Sequence, residues 1–526
     1  MKILIADSVS ERAVEVLKAE GSWDVVYLPG KAGGSVVEEV RAADALVVRS
    51  ATKVTAKLLE GAERLRVIGR AGVGVDNVDL DAATRKGVVV MNTPGGNAVS
   101  VAEHTLALLL ALARRLPQAD TSMKKGQWEK KKLQGIELRS KTLGLIGFGQ
   151  IGREVARLAQ AFEMEVVAYD PYVSSLVAGE LNIKLVSLEE LLKTSDFISL
   201  HASATAETRH LLNARTLGQT KPGVRIVNCA RGDLINEGDL LAALEGGQVA
   251  GAGLDVFEAE PPKDPRVVNH PHVIATPHIA GSTEEAQEIV GIRIAEQVRD
   301  YLLLGVARNA VNMPSVSPEE FKKLEPYLQL GEKLGAFLAQ IAGERVQEVR
   351  ISYDGGLAEL NTHLVKNAVL KGVLSRAFSG EVNLVNAGAL AQARDIEVSE
   401  QRSARRAAFS HSLGIALRTE AECASVLGMV GMRGTLRILG INDIDIEAPL
   451  RGVILFIRNQ DVPGVIGRVG TILGSRNLNI ANFALGRNQQ AQEAIGLVNV
   501  DSHIPDDVLN EIRSVPAVRV ARVVEL

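Results

Sequence analysis

The N-terminal part of the chain is predicted to be α/β, with doubly wound parallel sheets, and the C-terminal part to be α+β. Two observations carry this prediction. Short β-rich runs alternate with helical segments as far as residue 280, which is the pattern of parallel strands joined by crossover helices. Residues 453–526 instead read as strand, helix, two strands, helix and strand, which predicts a ferredoxin-like unit.

The composition is that of a large enzyme with several domains. At about 150 residues per domain, a chain of 526 residues predicts three or four domains. The net charge of −4 gives no general attraction to nucleic acid or to an anionic membrane. Cys229 and Cys423 are too few for a disulfide framework and lack metal-ligand spacing. The N-terminus lacks the pattern of a secretory signal and the run LALLLALA is too short to span a bilayer, so we expect a cytoplasmic protein without metal or membrane partner.

The first unit contains five β-rich runs, KILIAD, DVVYL, ALVVR, RVIGR and VVVM. Arg49 and Arg70 each close one of these strands, and loops at the carboxyl ends of parallel strands are where such sheets bind ligands. Gly72 and Gly74 expose backbone amides beside Arg70, which suits a carboxylate or a phosphate. For either arginine taken alone, a solvated residue at a strand end is an equally good interpretation.

A long apolar helix, AVSVAEHTLALLLALARRL, leads into the next unit, and we place the domain change at residue 98. His104 on this helix is interpreted as a contact residue rather than a catalyst. His270 and His272 precede their strand and are expected to point away from the ligand crevice. The basic run KKGQWEKKK is interpreted as a solvated face, since it is isolated in an acidic protein and makes a poor nucleic-acid patch.

A glycine turn opens the second unit. Gly147, Gly149 and Gly152 follow the apolar run TLGLI and precede a helix, an order that brings backbone amides and a helix N-terminus to a pyrophosphate. A glycine turn alone is weak evidence for a dinucleotide site, because such turns between strand and helix are common. Asp170 ends the next strand, about twenty residues on, where an acid accepts hydrogen bonds from a ribose and repels a 2′-phosphate. The sequence therefore predicts NAD rather than NADP.

Three later strands end in polar loops that face the same crevice. Arg231 follows VRIVNC, the segment DVFEAE follows AGAGL, and His278 follows HVIATP. Oxidation of a 2-hydroxy acid needs three such groups. An arginine binds the substrate carboxylate, a histidine takes the hydroxyl proton, and an acid orients the histidine. A structural role for His278 is an open alternative when that residue is taken singly.

The chain resembles the D-isomer-specific 2-hydroxyacid dehydrogenase family. The resemblance rests on four motifs in this order and spacing: GFGQIG, NCARGDLINE, GAGLDVFEAEPP and HVIATPHIAGST. VRSATKV and GRAGVGVDNVDL narrow the resemblance to long-chain members that act on 3-phosphoglycerate, over residues 1–312 and again at the C-terminal end. The resemblance implies NAD-dependent oxidation of 3-phospho-D-glycerate to 3-phosphooxypyruvate, the first committed step of L-serine biosynthesis. Another D-2-hydroxyacid dehydrogenase, of the glycerate or glyoxylate type, and a non-catalytic NAD-sensing scaffold are the alternatives.

The resemblance also implies roles for single residues. Arg231, Glu260 and His278 are the implied catalytic residues, with Glu260 preferred to Glu258 because it directly precedes a proline. Arg49 and Arg70 would bind the substrate phosphate, and the amides of Val73 and Gly74 its carboxylate. HASATAET departs from the family at Ser203, where proline is usual, which weakens the assignment of Ala202. In the family, residues near Lys131 can reach a partner subunit's site. The implied cofactor contacts are Gly147, Gly149, Gln150, Ile151, Gly152, Asp170, Ala202, Cys229 and Asp255.

Four domains follow from the same resemblance. They are a discontinuous substrate-binding domain over 1–97 and 290–316, a Rossmann-like NAD-binding domain over 98–289, an intervening regulatory domain over 317–452 and an ACT domain over 453–526. The helix Glu284 to Leu304 would cross back to the first sheet. No catalytic motif is found in the intervening domain, and its RSARR cluster is interpreted as a solvated charge run.

The C-terminal unit resembles an ACT module, which commonly pairs across subunits and holds an amino acid. Asp461 stands at a strand end before Gly464, and Asn479 lies in LNIANF. The resemblance implies that Asn459, Asp461 and Asn479 form the allosteric site. We expect L-serine as effector and a homo-oligomer, dimer or tetramer. A plain dimerisation domain is the alternative.

Overall fold

The computed structural model describes residues 1–29, 34–343, 345–377, 381–403, 411–420, 422–488, 490 and 492–526, so part of the RSARR cluster lies outside the described residues. These residues form four sheets in chain order, two wholly parallel, one mixed and one antiparallel. The predicted fold class is confirmed.

The first sheet is five-stranded and parallel, with the order β2-β1-β3-β4-β5. All its carboxyl ends therefore meet at one edge, where Arg49 and Arg70 lie. The strands are β1 (Lys2–Ile5), β2 (Asp24–Tyr27), β3 (Ala45–Val48), β4 (Val67–Arg70) and β5 (Val89–Met91), and the helices between them are α1 (Glu11–Lys18), α2 (Gly34–Ala42), α3 (Ala56–Leu59) and α4 (Leu80–Arg85).

The second sheet is seven-stranded and parallel, with the order β12-β11-β10-β9-β6-β7-β8. Strand order reverses beside β6, and the crevice at such a reversal is where ligands bind in open α/β sheets. The elements are α5 (Ala98–Arg114), α6 (Leu116–Lys124), β6 (Thr142–Ile146), α7 (Gln150–Ala161), β7 (Glu165–Tyr169), α8 (Ser175–Gly179), β8 (Lys184–Leu185), α9 (Leu188–Thr194), β9 (Phe197–Leu200), α10 (Ala214–Leu217), β10 (Val224–Asn228), α11 (Glu237–Glu245), β11 (Val249–Leu254), α12 (Pro265–Val268) and β12 (Val273–Ala275).

Helix α13 (Glu284–Leu304) packs on the first sheet. Its close approach depends on Gly69 in β4, because a Cβ there would stand 2.7 Å from Val298 and 2.8 Å from Ile294. The chain then returns alongside β5, where the amide of Val311 donates to the carbonyl of Val90 at 2.8 Å. The two parallel sheets are thus joined by two crossings of the chain, with a cleft between their carboxyl edges.

A mixed sheet follows, with the order β14-β13-β15-β16-β17-β18; α14 packs on it, and α15 packs on α14. β13 and β14 pair in parallel and the other neighbours are antiparallel. The elements are α14 (Pro318–Ala342), β13 (Val346–Gly355), α15 (Thr362–Leu374), α16 (Ala387–Gln392), β14 (Glu397–Ser403), β15 (His411–Thr419), β16 (Cys423–Val430), β17 (Leu436–Ile441) and β18 (Ile444–Pro449).

The C-terminal sheet is antiparallel with the order β20-β21-β19-β22, the ferredoxin-like arrangement. Leu455 and Ile457 face its own helices, whereas Ile454, Phe456 and Val524 join the core of the preceding unit. The last two units therefore share one hydrophobic core. The elements are β19 (Val453–Gln460), α17 (Val465–Ser475), β20 (Ile480–Asn488), β21 (Glu493–Val500), α18 (Asp506–Arg513) and β22 (Val518–Glu525). Among the described helices, none is both long and apolar enough to cross a membrane.

Candidate active site

His278 and Glu260 form a hydrogen-bonded pair at the cleft. Nδ1 of His278 lies 2.7 Å from Oε2 of Glu260, and the histidine has a left-handed backbone, with φ of 55°. This hydrogen bond raises the pKa of His278 against the opposing effect of burial. Burial alone would raise the pKa of Glu260, but the hydrogen bond and charge of His278 outweigh burial and lower that pKa. The pair therefore has a carboxylate that stabilises an imidazolium and leaves Nε2 available to a ligand.

Glu258, two residues earlier, has other partners. Its amide donates to Glu237 at 2.8 Å, its carboxylate accepts from the amide of Glu237 at 3.1 Å, and it lies 3.2 Å from Nε2 of His210. Glu258 therefore ties two loops together, and the structure places Glu260 rather than Glu258 on His278.

Asp255 shapes the loop that carries His278. Its side chain is fully buried and accepts three hydrogen bonds, from the hydroxyl of Thr276 at 2.6 Å and from the amides of Ile279 and Ala280, each at 2.8 Å. His104 on α5 reaches the same network, with Nε2 3.1 Å from the Thr276 hydroxyl. Sequence reasoning did not find this network, because its members lie on three separate segments.

Arg231 is positioned by the loop after β10. Asn228, which is buried, donates to the carbonyl of Arg231 at 2.8 Å and accepts from the amide of Ala230 at 3.0 Å. Gly232 allows this loop to touch the one after β11, because a Cβ at residue 232 would stand 1.9 Å from the carbonyl carbon of Phe257. Both loops are thereby fixed against each other, which brings the charge of Arg231 close enough to act on the pKa values of His278 and Glu260.

The glycine turn after β6 forms a cradle. A Cβ on Gly147 would stand 2.7 Å from the amide nitrogen of Ala202, and one on Gly152 would stand 2.4 Å from the carbonyl oxygen of Gly147. Gly149 is the N-cap residue of α7 and has open space where its Cβ would be. Asp170 accepts from the amide of Phe148 at 2.8 Å, which holds its carboxylate beside the turn. Exposed amides at a helix N-terminus with a fixed acid beside them fit a dinucleotide.

The remaining predicted cofactor contacts line this cradle in different ways. The side chain of Gln150, the first residue of α7, lies against Gly95 of the first unit. Ile151 packs into the core of the second unit. Burial raises the pKa of Cys229 to about 12, and desolvation lowers the pKa of the half-buried His201, on the neighbouring strand end, to about 4, so both stay neutral.

Two arginines, Arg49 and Arg70, lie on the opposite side of the cleft and come close to Arg231. Arg49 is anchored through its amide, which donates to Asp7 at 2.6 Å, and Arg70 folds over Gly72, whose φ of 150° and missing side chain leave room for the guanidinium. Nε of Arg70 is buried and has no hydrogen-bond partner among the described residues. Burial and repulsion by Arg231 and Arg49 lower the pKa of Arg70. An anion between these arginines would relieve both effects.

Comparison with known proteins identifies the family. Residues 106–280 match the family model of the D-isomer-specific 2-hydroxyacid dehydrogenase NAD-binding domain, residues 323–442 that of the D-3-phosphoglycerate dehydrogenase intervening domain, and residues 453–517 that of the ACT domain. D-3-phosphoglycerate dehydrogenase from Synechocystis is 42% identical over 526 residues, which cover 100% of this chain and 95% of the relative. The enzyme of the same name from Methanocaldococcus jannaschii is 41% identical and covers 100% of both chains. This chain belongs to the D-3-phosphoglycerate dehydrogenase family.

Solved structures resemble part of the chain. A glyoxylate reductase from Paecilomyes thermophila is 30% identical and covers 61% of this chain and 99% of its own, with a TM-score of 0.55. A D-lactate dehydrogenase from Aquifex aeolicus, complexed with NAD and lactic acid, is 32% identical and covers 60% and 100%, with a TM-score of 0.52. The prediction of an NAD-dependent oxidoreductase is confirmed by these relatives and by the NAD-binding family model.

The predicted allosteric residues of this D-3-phosphoglycerate dehydrogenase family member each have a partner. Asp461 accepts from Arg487 at 2.7 Å, and Asn479 donates to Asp501 at 2.5 Å. Asn459 is buried, with 4% of its surface exposed, and donates to the carbonyl of the next residue. The described contacts do not join the three side chains to one another. Asn479 is exposed, whereas the Asp461 side chain is 19% exposed and is engaged by Arg487.

Proposed function

We propose that the protein oxidises 3-phospho-D-glycerate at C2 to 3-phosphooxypyruvate with NAD, the first committed step of L-serine biosynthesis. One arrangement carries the proposal: Arg231 lies close enough to act on the pKa values of the hydrogen-bonded His278 and Glu260 and also on that of Arg70, which Arg49 affects as well. A substrate that bridges the cleft therefore needs a hydroxyl at one end and an anionic group at the other. Full-length relatives that carry the name D-3-phosphoglycerate dehydrogenase support this choice over an unphosphorylated 2-hydroxy acid.

Each residue of the cleft has a defined task in the proposed reaction. Arg231 and the amides of Val73 and Gly74 bind the substrate carboxylate, and Arg49 and Arg70 bind its phosphate. Nε2 of His278 takes the proton of the C2 hydroxyl, and Glu260 stabilises the imidazolium that forms. Asp255 keeps the loop of His278 in place through its three hydrogen bonds.

The cradle residues hold the cofactor. The backbone of Gly147, Gly149, Gln150, Ile151 and Gly152 suits the pyrophosphate, and Asp170 suits the adenosine ribose. Ala202, Cys229 and Asp255 border the nicotinamide end, where the neutral thiol of Cys229 adds no charge. Bound NAD supplies the acceptor for the hydride that leaves C2.

A comparison of two substrates tests the activity. The protein should reduce NAD with 3-phosphoglycerate and be at least about tenfold less efficient, in kcat/KM, with D-glycerate, because a charge-assisted contact to phosphate is lost. Equal efficiency with both substrates would contradict the assignment. His278→Ala should lower kcat by about 10²- to 10⁴-fold while NAD still binds, the range typical of a lost general acid–base group.

The ACT module supports regulation by an amino acid, and we propose L-serine, the pathway's product. Asp461 can accept from an ammonium group, Asn479 offers both a donor and an acceptor, and Asn459 is a weaker candidate. The ACT core is continuous with the intervening domain, so a ligand that favours one arrangement of the module acts on both. The proposal includes a homo-oligomer, dimer or tetramer, whose ACT modules pair, and a cytoplasmic location, consistent with two free cysteines.

A further inference from the structure

Asp76 on the substrate-binding side of the cleft forms an ion pair with Arg231 on the NAD-binding side. Oδ2 of Asp76 lies 3.0 Å from Nη2 of Arg231. The other terminal nitrogen of Arg231 donates to the carbonyl of Ala230 at 2.7 Å. Among the described residues, no other carboxylate lies within ion-pair distance of Arg231. The guanidinium that is expected to clamp a substrate therefore already holds a carboxylate.

This carboxylate stands where Gly74 and Arg231 meet. A Cβ on Gly74 would lie 2.1 Å from Nη2 of Arg231 and 2.7 Å from Oδ2 of Asp76. The absence of a side chain at Gly74 thus makes room for the pair. The proposed function assigns the same two groups, the amide of Gly74 and the guanidinium of Arg231, to the substrate carboxylate. Two carboxylates with the same charge cannot both occupy that position at low cost.

The Asp76 side chain can move away from Arg231 without a change in the fold. Its side chain is 72% exposed, compared with 31% for Arg231, and the described contacts give it no hydrogen bond or ion pair other than the one to Arg231. The backbone before it is anchored, since Asn92 donates to the carbonyl of Val73 and the amide of Thr93 donates to that of Gly72 at 2.9 Å. A rotation of the Asp76 side chain into solvent therefore needs no movement of that anchored segment.

The positive charges of the cleft stabilise the Asp76 carboxylate beside Arg231 as long as no other anion is bound. Arg49 and Arg231 each repel Arg70, and Asp76 opposes the effect of Arg231 on the pKa of Arg70. A carboxylate next to Arg231 therefore offsets part of this repulsion when no substrate is bound. A substrate carboxylate can provide the same compensation, so the two are alternatives at one position.

We propose that Asp76 is an internal competitor for the substrate carboxylate: it holds Arg231 across the cleft and must be displaced when substrate binds. In this view Asp76 lowers the affinity of the cleft for every 2-hydroxy acid whose carboxylate binds Arg231. The proposal rests on the proposed function in naming the substrate, but the ion pair and the competition concern any small carboxylate that binds Arg231.

Asp76→Asn tests the competition, because it keeps the shape and removes the charge. KM for 3-phosphoglycerate should fall about two- to fivefold, the size expected of a partly exposed ion pair, with the gain in KM rather than in kcat. The dissociation constant of oxalate for the NADH-loaded protein should fall by the same factor, measured by nucleotide fluorescence. Asp81→Asn is the matched control, since it removes an equal charge from exposed helix α4 of the same domain.

Three results would overturn the proposal: unchanged or weaker oxalate binding by Asp76→Asn, an equal gain in Asp81→Asn, or a loss that appears in kcat. The last would mean that Asp76 orients Arg231 for the reaction. Asp76→Ser provides a second test if the asparagine variant is poorly folded. The oxalate measurement needs no turnover, so failure of the wild-type protein to oxidise 3-phosphoglycerate would contradict the proposed function and still leave the role of Asp76 decided.

Discussion

The carboxylate of Glu260 lies 2.7 Å from Nδ1 of His278 and raises the pKa of that histidine. Oxidation needs a neutral imidazole to take the hydroxyl proton, whereas the reverse reaction needs the imidazolium. In the proposed mechanism the contact therefore moves the onset of oxidation to higher pH and, at the same time, stabilises the charged form that the reaction produces. The same pair is then expected to set both the pH dependence and the rate.

Glu260→Gln should move the acid limb of the kcat/KM profile for oxidation to lower pH. The sign follows from the removed charge: without the carboxylate the pKa of His278 falls, so the neutral base persists in more acidic solution. The plateau rate should fall as well, because the imidazolium loses its partner. Glu258→Gln is the control, since Glu258 contacts Glu237 and His210 instead. Identical profiles for the two variants would contradict the pairing.

Arg49→Gln and Arg70→Gln should each raise KM for 3-phosphoglycerate by about 10- to 150-fold, equivalent to the 1.5–3 kcal/mol typical of a hydrogen bond to a charged group. KM for NAD should change little, because both arginines belong to the first unit, at the ends of β3 and β4, and not to the NAD-binding unit. Arg85→Gln removes an equal charge from exposed helix α4 and serves as control. Equal losses with D-glycerate would show that the two arginines support the fold and do not bind phosphate.

The glycine turn, the strand ends and Asp170 could be placed from sequence because they depend on local order. A strand, a turn and a helix follow directly in the chain, and parallel strands bring their carboxyl ends to one edge. The contact between Asp76 and Arg231 could not be placed this way, since the two residues belong to different sheets and meet only across the cleft. Nor does local pattern show that Asp255 is fully engaged by its own loop, or that Phe456 packs into the core of the preceding unit.

Gly232→Ala should destabilise the protein by about 1–3 kcal/mol, the usual cost of overpacking, and lower kcat/KM beyond that. The added Cβ would stand 1.9 Å from the carbonyl carbon of Phe257, so one of the two loops must move and Arg231 moves with it. Thermal unfolding and steady-state kinetics measure the two effects. Gly179→Ala, where a Cβ meets nothing within 4 Å, is the matched control and should be tolerated. A fully active Gly232→Ala protein would mean that this contact does not position Arg231.

The ion pair between Asp461 and Arg487, 2.7 Å apart, gives a two-sided test of serine regulation. If the Asp461 carboxylate accepts from the serine ammonium group, Arg487 competes for it. Asp461→Asn should then raise the serine concentration for half-inhibition at least about tenfold, whereas Arg487→Gln should lower it, because a charge-assisted hydrogen bond is lost or freed. Serine is titrated at saturating NAD and 3-phosphoglycerate against each variant's own uninhibited rate, with exposed Asp506→Asn as control. Shifts in the same direction for both variants would exclude Asp461 as the ammonium partner.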